Sequence, residues 1–267
     1  MTATATPVTN TAVTRGRFAW TELLTTDPAA AQTFYQEVIG WTTTKWEGGT
    51  GDYTMWMAGQ TPLGGVMMLP PDAAAMGSPP HWLAYIEVPD TDATISQAIK
   101  LGATLLAPAQ TVDQVGRFAV LSDPQGAVFA IITNASPLPP ETEPATLEFC
   151  WHELNSTDLP GAMEFYTTLF GWQQVREFDM GDKGIYHVFG RDQFTYGGIM
   201  RKPDEMNAPS SWLHYIEVDN ADAATERAIN AGGTVMLGPI EVPGGARISI
   251  MTDPQGAAFA VHAKAAQ

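Results

Sequence analysis

Four glutamates stand where a carboxylate is expensive to keep. Glu22 and Glu153 lie inside FAWTELL and FCWHELN, and Glu87 and Glu217 close WLAYIE and WLHYIE. Each run reads as a strand by its alternation. Alternation places Trp20, Glu22 and Leu24 on one face, and Trp151, Glu153 and Asn155 on the matching face of the repeat. His81, Leu83, Tyr85 and Glu87 share a face of the second strand, as do Leu213, Tyr215 and Glu217. If those faces look into one cavity per repeat, each cavity holds one Trp, one Tyr and two Glu. A carboxylate on an apolar strand must be hydrogen-bonded, paired, protonated or close to water. Three chemistries are open. The glutamates could be paired to backbone or to arginines such as Arg117 and Arg247. They could bind polar or cationic groups of a small molecule against an aromatic wall, with Trp20, Glu22, Tyr85 and Glu87 in one half and Trp151, Glu153, Asn155, Tyr215 and Glu217 in the other. Or Glu22, Glu87, Glu153 and Glu217 could work as acid–base catalysts.

The elements that carry these residues occur twice. WTELLTTDPAAAQTFYQEVIGW (20–41) echoes WHELNSTDLPGAMEFYTTLFGW (151–172), HWLAYIEV (81–88) echoes SWLHYIEV (211–218), and SDPQGAVFAI (122–131) echoes TDPQGAAFAV (252–261). Echoes in one order over the whole length mean two copies of one domain. The spacing predicts domains over 16–134 and 147–264, a loose tail over 1–15, and an extended proline- and acid-rich linker over 135–146. Within each domain a strand leads into a helix capped by Asp27 or Asp158, with Pro28 at the first helical position. Ala31, Phe34, Tyr35, Val38 and Ile39 make one apolar stripe, and Ala162, Phe165, Tyr166, Leu169 and Phe170 repeat it. Gly40 and Gly171 stand where a left-handed helix stop belongs. Three short strands follow, near 41–46, 53–58 and 63–69, then near 172–178, 185–190 and 194–201. The second unit repeats the plan: strand 82–88, helix 91–101, strands 103–107, 116–122 and 127–133. Its counterpart has strand 212–218, helix 221–231, then strands 234–237, 246–252 and 257–263. Four β-α-β-β-β units predict an α+β fold with mixed sheets, helices on one face, and the other face free to curl around a cavity.

Composition narrows the classes. The 267 residues carry a formal charge of −16, which repels polyphosphate and argues against a nucleic-acid partner. The same charge would tolerate a cationic small molecule. The lone Cys150 excludes an intramolecular disulfide. MTATATPVTNTAV lacks the make-up of a signal peptide, and no apolar run would span a membrane, so a soluble cytoplasmic protein is expected.

Paired β-α-β-β-β units carrying D…FY…G-W and later D-P-x-G resemble the vicinal oxygen chelate superfamily of glyoxalases, extradiol dioxygenases and bleomycin-binding proteins. Two fused domains opening with W-x-E-L and closing with SDPQGA (TDPQGA in the second copy) look most like two-domain glyoxalase-like proteins of the mycobacterial 27 kDa antigen type. The resemblance implies a small-molecule cavity, and in the enzymes a divalent metal held by His or Gln and Glu from four strands. Counting to those positions gives Trp20 and Trp151, Leu83 and Leu213, Ala130 and Ala260, while GGVMML and YGGIM offer no carboxylate for the fourth. None of these can ligate a metal. A slip of one residue brings in Thr21 and His152 but leaves Ala130 and Ala260 beside Phe and Ile. No cofactor is therefore expected, with a metal conceivable only at a non-standard site such as His81 with Glu22 and Glu87. Metal-templated chemistry is placed in doubt.

Other conspicuous residues read as structural. Trp41 and Trp172 pack under the helices, and His152 faces the helices as a core histidine. Gly64–Gly65 and Gly197–Gly198 mark a bulge or close strand crossing. His262 shares the cavity-facing phase in one half only, and Cys150 is matched by Ala19 and so has no counterpart. Pro124 and Pro254 make D-P-x-G a type I turn. Three functions follow: a metal-independent small-molecule binder, a lyase, isomerase or hydroxylase using the glutamates, or an interaction protein whose cavities are filled by Trp20 and Trp151. Fusion of two domains predicts a monomer with an internal pseudo-dimer.

Overall fold

The computed structural model describes residues 15–48, 53–204 and 209–265; the tail expected over 1–15 falls outside these apart from Arg15. The first half runs β1 (Phe18–Thr25), α1 (Pro28–Val38), β2 (Thr42–Lys45), β3 (Thr54–Ala58), β4 (Thr61–Met68), α2 (Pro71–Ala75), β5 (His81–Glu87), α3 (Thr91–Lys100), β6 (Thr104–Val112), β7 (Gly116–Ser122) and β8 (Val128–Asn134). The second half runs β9 (Phe149–Ser156), α4 (Leu159–Phe170), β10 (Gln173–Asp179), β11 (Ile185–Arg191), β12 (Phe194–Arg201), β13 (Ser211–Glu217), α5 (Ala221–Asn230), β14 (Thr234–Glu241), β15 (Arg247–Thr252) and β16 (Ala258–Ala263). Among the described residues no helix is long and apolar enough to cross a membrane.

Each half forms one eight-stranded mixed sheet, in the orders β2-β3-β4-β1-β5-β8-β7-β6 and β10-β11-β12-β9-β13-β16-β15-β14. β1 lies at the centre, parallel to β4 and antiparallel to β5, and β5 runs parallel to β8. The sheets are open, with β2, β6, β10 and β14 as edges. β6 and β14 extend beyond 103–107 and 234–237, running on through Pro108 and Pro239. Edge strands tolerate proline because one row of N–H groups has no ladder partner to lose, and register shifts accompany both prolines. The sequence reading also omitted the short α2, which starts at Pro71 and buries none of its residues.

The helices form for the expected reasons. The Asp27 side chain accepts from Ala29 and Ala30 N–H, and Pro28 opens α1. Asp158 accepts from Gly161 N–H, and Gly171 closes α4 in the left-handed region at φ 70°. What each stripe packs against could not be read from periodicity. One core joins Leu23, Phe34, Tyr35, Trp41, Trp56 and Trp82 of the first half to Ile216, Ala224, Ala228 and Phe259 of the second. The other joins Ile86, Ala98, Leu121 and Phe129 to Leu154, Phe165, Tyr166 and Trp172. The aromatic helices α1 and α4 thus meet α5 and α3 of the opposite half, whose buried residues are all alanines and threonines and admit close approach.

Two hydrogen-bond relays latch the halves. Trp82 Nε1–H donates to Tyr35 Oη at 2.9 Å, and Tyr35 O–H donates to Asp253 Oδ2 at 3.3 Å. Trp212 Nε1–H donates to Tyr166 Oη at 3.1 Å, and Tyr166 O–H to Asp123 Oδ2 at 3.0 Å. Both aspartates belong to D-P-Q-G turns, where their Oδ1 also accepts from Gln125 and Ala127 N–H, or Gln255 and Ala257 N–H. The motif is therefore a turn and a cross-half acceptor at once. Trp41 and Trp172, buried as expected, donate at 2.7 Å to Leu147 O and Gly16 O across the same seam. Tyr35→Phe strips Trp82 and Asp253 of a buried partner and is expected to cost about 1–3 kcal/mol. Urea unfolding of the full chain measures this; a loss under about 0.5 kcal/mol, the range of an ordinary surface substitution, would remove the latch from the account.

Candidate functional site

Glu22 is the centre of a hydrogen-bonded group on the face of the first sheet turned away from α1 and α3; that face is not free of helix, since Ala73 of α2 packs on its apolar cluster with Leu24 and Leu83. Register sets Glu22 beside Gly65 of β4 and Leu83 of β5, and Trp20 beside Tyr85. Tyr53 O–H donates to Glu22 Oε1 at 2.6 Å and Tyr85 O–H donates to Oε2 at 3.0 Å. Trp20 Nε1–H donates to Tyr53 Oη at 3.0 Å. The second sheet repeats the arrangement. Tyr186 and Tyr215 O–H donate to Glu153 Oε2 at 3.0 and 3.2 Å, Asn155 Nδ2–H to Oε1 at 3.4 Å, and Trp151 Nε1–H to Tyr186 Oη at 2.8 Å. Glu22, Tyr85, Glu153 and Tyr215 are buried, whereas Trp20, Tyr53, Trp151 and Tyr186 are half-buried.

Tyr53 and Tyr186 were missed by sequence reasoning. The signal was present: Tyr53 immediately precedes β3 and Tyr186 is the second residue of β11, at matching positions facing the glycine pairs. A Cβ on Gly65 would come within 1.8 Å of Tyr53 Oη, and one on Gly198 within 2.0 Å of Tyr186 Cζ. Gly64 and Gly197 do the separate job of close crossing, each lying against the backbone of β1 or β9.

Burial pushes the Glu22 and Glu153 carboxyls above the usual value of 4.5, and the phenol hydrogen bonds only partly oppose it. Burial also raises Tyr53, Tyr85, Tyr186 and Tyr215, so the phenols remain protonated donors. The linkage has a definite sign. A carboxyl raised in the folded state contributes stability that is complete below its unfolded value and is lost as pH rises through its folded value. Wild type is therefore expected to lose Tm relative to Glu22→Gln as pH rises from about 4.5 toward neutrality. Thermal melts of the two proteins across that window check this; parallel curves would contradict it.

The remaining expected site residues are not gathered with this group. Glu87 lies four residues along β5 from Leu83, roughly 13 Å from the Glu22 level at strand rise, and accepts from Asn134 Nδ2–H at 3.0 Å. Glu217 instead pairs with His262 Nδ1 at 2.8 Å. The arginine pairing is corrected: Arg117 forks onto Asp92 and Arg247 onto Asp222, at the starts of α3 and α5. The set His81, Glu22 and Glu87 is also corrected. His81 Nδ1 lies 2.8 Å from Pro79 O, and the three do not cluster as metal ligands among the described residues. His152 is a core histidine, stacked on Phe18 at 3.6 Å, with Nδ1 2.8 Å from His214 Nδ1. Burial drives both imidazoles down, His214 to about 3.

Trp20, Leu83 and Ala130 pack in one apolar cluster, and Trp151, Leu213 and Ala260 in its counterpart. Indole, isobutyl and methyl groups have no lone pair to offer, so these residues do not fit a divalent metal at that place. A separate groove of about 430 Å³ opens beside Trp20, between the linker residues Pro139 and Glu141 and the strands bearing Pro62 and Tyr196. The linker is pinned there: Arg17 Nη1–H donates to Pro139 O at 2.6 Å, and Arg191 pairs with Glu141 at 3.4 Å.

Residues 149–261 match the Glyoxalase/Bleomycin resistance protein/Dioxygenase superfamily, and residues 20–132 match the Glyoxalase-like domain. The chain is 32% identical over 252 residues to the Mycobacterium tuberculosis protein named "Putative glyoxylase CFP32", covering 93% of this chain and 95% of that one. It is 28% identical over 267 residues to the anthracycline biosynthesis protein DauV of Streptomyces sp. strain C5, covering 92% of each. The Mn(II)-bound glyoxalase of Novosphingobium aromaticivorans shares the fold, with TM-score 0.63 and 14% identity over 95% of this chain and 83% of that one.

Proposed function

Because the chain belongs to the glyoxalase/bleomycin resistance protein/dioxygenase superfamily, we propose that it binds a small oxygenated organic molecule on the face of each sheet that carries Glu22 or Glu153, without a metal at the family's usual positions. The observation that carries this reading is the duplicated Trp–Tyr–Glu–Tyr group. Both halves keep a half-buried indole and phenol around a buried carboxyl whose oxygens are already satisfied. Such a group offers a flat aromatic wall and hydroxyls able to exchange their partners for a ligand's carbonyl, hydroxyl or ammonium. DauV is named for anthracycline biosynthesis, which makes polycyclic oxygenated aromatics the first class to screen. The domains are taken as 16–134 and 147–264, joined by 135–146 and working as a monomer.

Thermal shift with such a library tests the reading. A ligand at 100 times its Kd raises stability by about 2.7 kcal/mol, and Glu22→Gln with Glu153→Gln is expected to reduce that shift. Equal shifts in wild type and double variant would overturn the assignment. The raised carboxyls favour a second reading, in which Glu22 or Glu153 takes a proton from bound substrate and returns it in a lyase or isomerase step. Under it the double variant binds but does not turn over; turnover equal to wild type on an identified substrate excludes it.

A further inference from the structure

Three side chains far apart in sequence meet on the second sheet. The β9–β13 register shifts between Tyr215 and Ile216, and Cys150 falls in that irregularity, between Phe149 and Trp151. Glu217 ends β13 and pairs with His262 across the parallel β13–β16 ladder. Cys150 Sγ, a Glu217 carboxylate oxygen and a His262 imidazole nitrogen all lie within 4.8 Å of one another. Around a tetrahedral zinc, ligand bonds of about 2.0–2.3 Å set the ligand atoms roughly 3.3–3.8 Å apart. Side-chain rotations of about 1 Å would bring the set to that spacing, closing the wider gaps and opening the 2.8 Å contact between Glu217 Oε2 and His262 Nδ1.

The geometry points to a site for one borderline-soft divalent cation of the zinc type, held by Cys150 Sγ, Glu217 and His262 Nδ1, with a fourth place open to water. Thiolate, imidazole and carboxylate together select such ions over magnesium or calcium, which take all-oxygen shells. Glu217 is buried, and Cys150 and His262 are half-buried, so the set is anchored yet reachable. Only the second half has it: Ala19, Glu87 and Ile132 occupy the matching places in the first. It uses β9, β13 and β16 but none of Trp151, Leu213 or Ala260, and it stands independently of the ligand reading above. Lys264, whose charge also acts on Glu217, is the competing cation that a metal must outbid.

Titration of the chelator-treated full chain with Co²⁺ tests it. Cys150 is the one cysteine in the chain, so any thiolate-to-cobalt absorption reports that residue alone. The expected result is one Co²⁺ per chain with that absorption, displaced by Zn²⁺. Cys150→Ser is expected to abolish the absorption. Removing an outer-shell partner weakens metal binding about 10–100-fold, so His262→Ala, which removes a ligand, should weaken it at least that much. His81→Ala, on the other sheet, should change neither. Absence of the absorption in folded wild type overturns the site, whatever the variants do. So does wild-type Co²⁺ affinity in a folded His262→Ala.

Discussion

A chain cut in the linker, leaving residues 1–140 alone, is expected not to persist as a folded monomer. Each of the two large cores draws its side chains from both halves. Removing the second half would expose Leu23, Phe34, Tyr35, Trp41, Trp56 and Trp82 on one side and Ile86, Leu121, Phe129 and Ile131 on the other. Re-exposing a large apolar side chain costs about 1.5–3 kcal/mol. Ten of them come to about 15–30 kcal/mol, at or above the upper end of ordinary domain stability, about 15 kcal/mol. The Tyr35 hydroxyl also loses Asp253, and Asp123 loses Tyr166. Light scattering and far-UV circular dichroism of the half chain decide the matter. The half is expected to pair with a second copy, aggregate or unfold, and the intact chain is expected to scatter as a monomer. A folded, monomeric half would show that the shared cores are dispensable.

Gly64→Ala and Gly197→Ala are expected to be the most damaging single substitutions. A Cβ on Gly64 would lie 1.8 Å from Thr21 O, and one on Gly197 1.8 Å from His152 O. The obstacle is backbone of the central strand, which cannot rotate away as a side chain can. Relief requires β1 and β4, or β9 and β12, to separate, breaking the parallel ladder that sets Glu22 opposite Gly65 and Glu153 opposite Gly198. The cost is placed above about 4 kcal/mol, in the range reserved for specific structural lesions. Gly65→Ala presses instead on the end of a tyrosine that can swing aside, so it should cost less while displacing Tyr53 from Glu22. Chemical denaturation of the three variants gives the ordering. If Gly65→Ala proves the more harmful, the crossing is not as close as described.

The repeat, the α+β class, all four long helices and nearly every strand follow from the sequence because each depends on neighbours in the chain. Asp27 caps its own helix, Phe34 and Tyr35 fall on one stripe, and Trp20 and Glu22 alternate onto one face, all through local periodicity. The inability of Trp20, Leu83 and Ala130 to ligate a metal was equally legible, since donor chemistry belongs to the residue itself. Contacts across the chain were not. That Tyr53 rather than an arginine satisfies Glu22, that Asp123 serves Tyr166, and that Cys150 meets Glu217 and His262 depend on strand register, on one bulge and on the packing of one half against the other. Period alone fixes which way a side chain faces; only the assembled sheets decide which distant group it finds there.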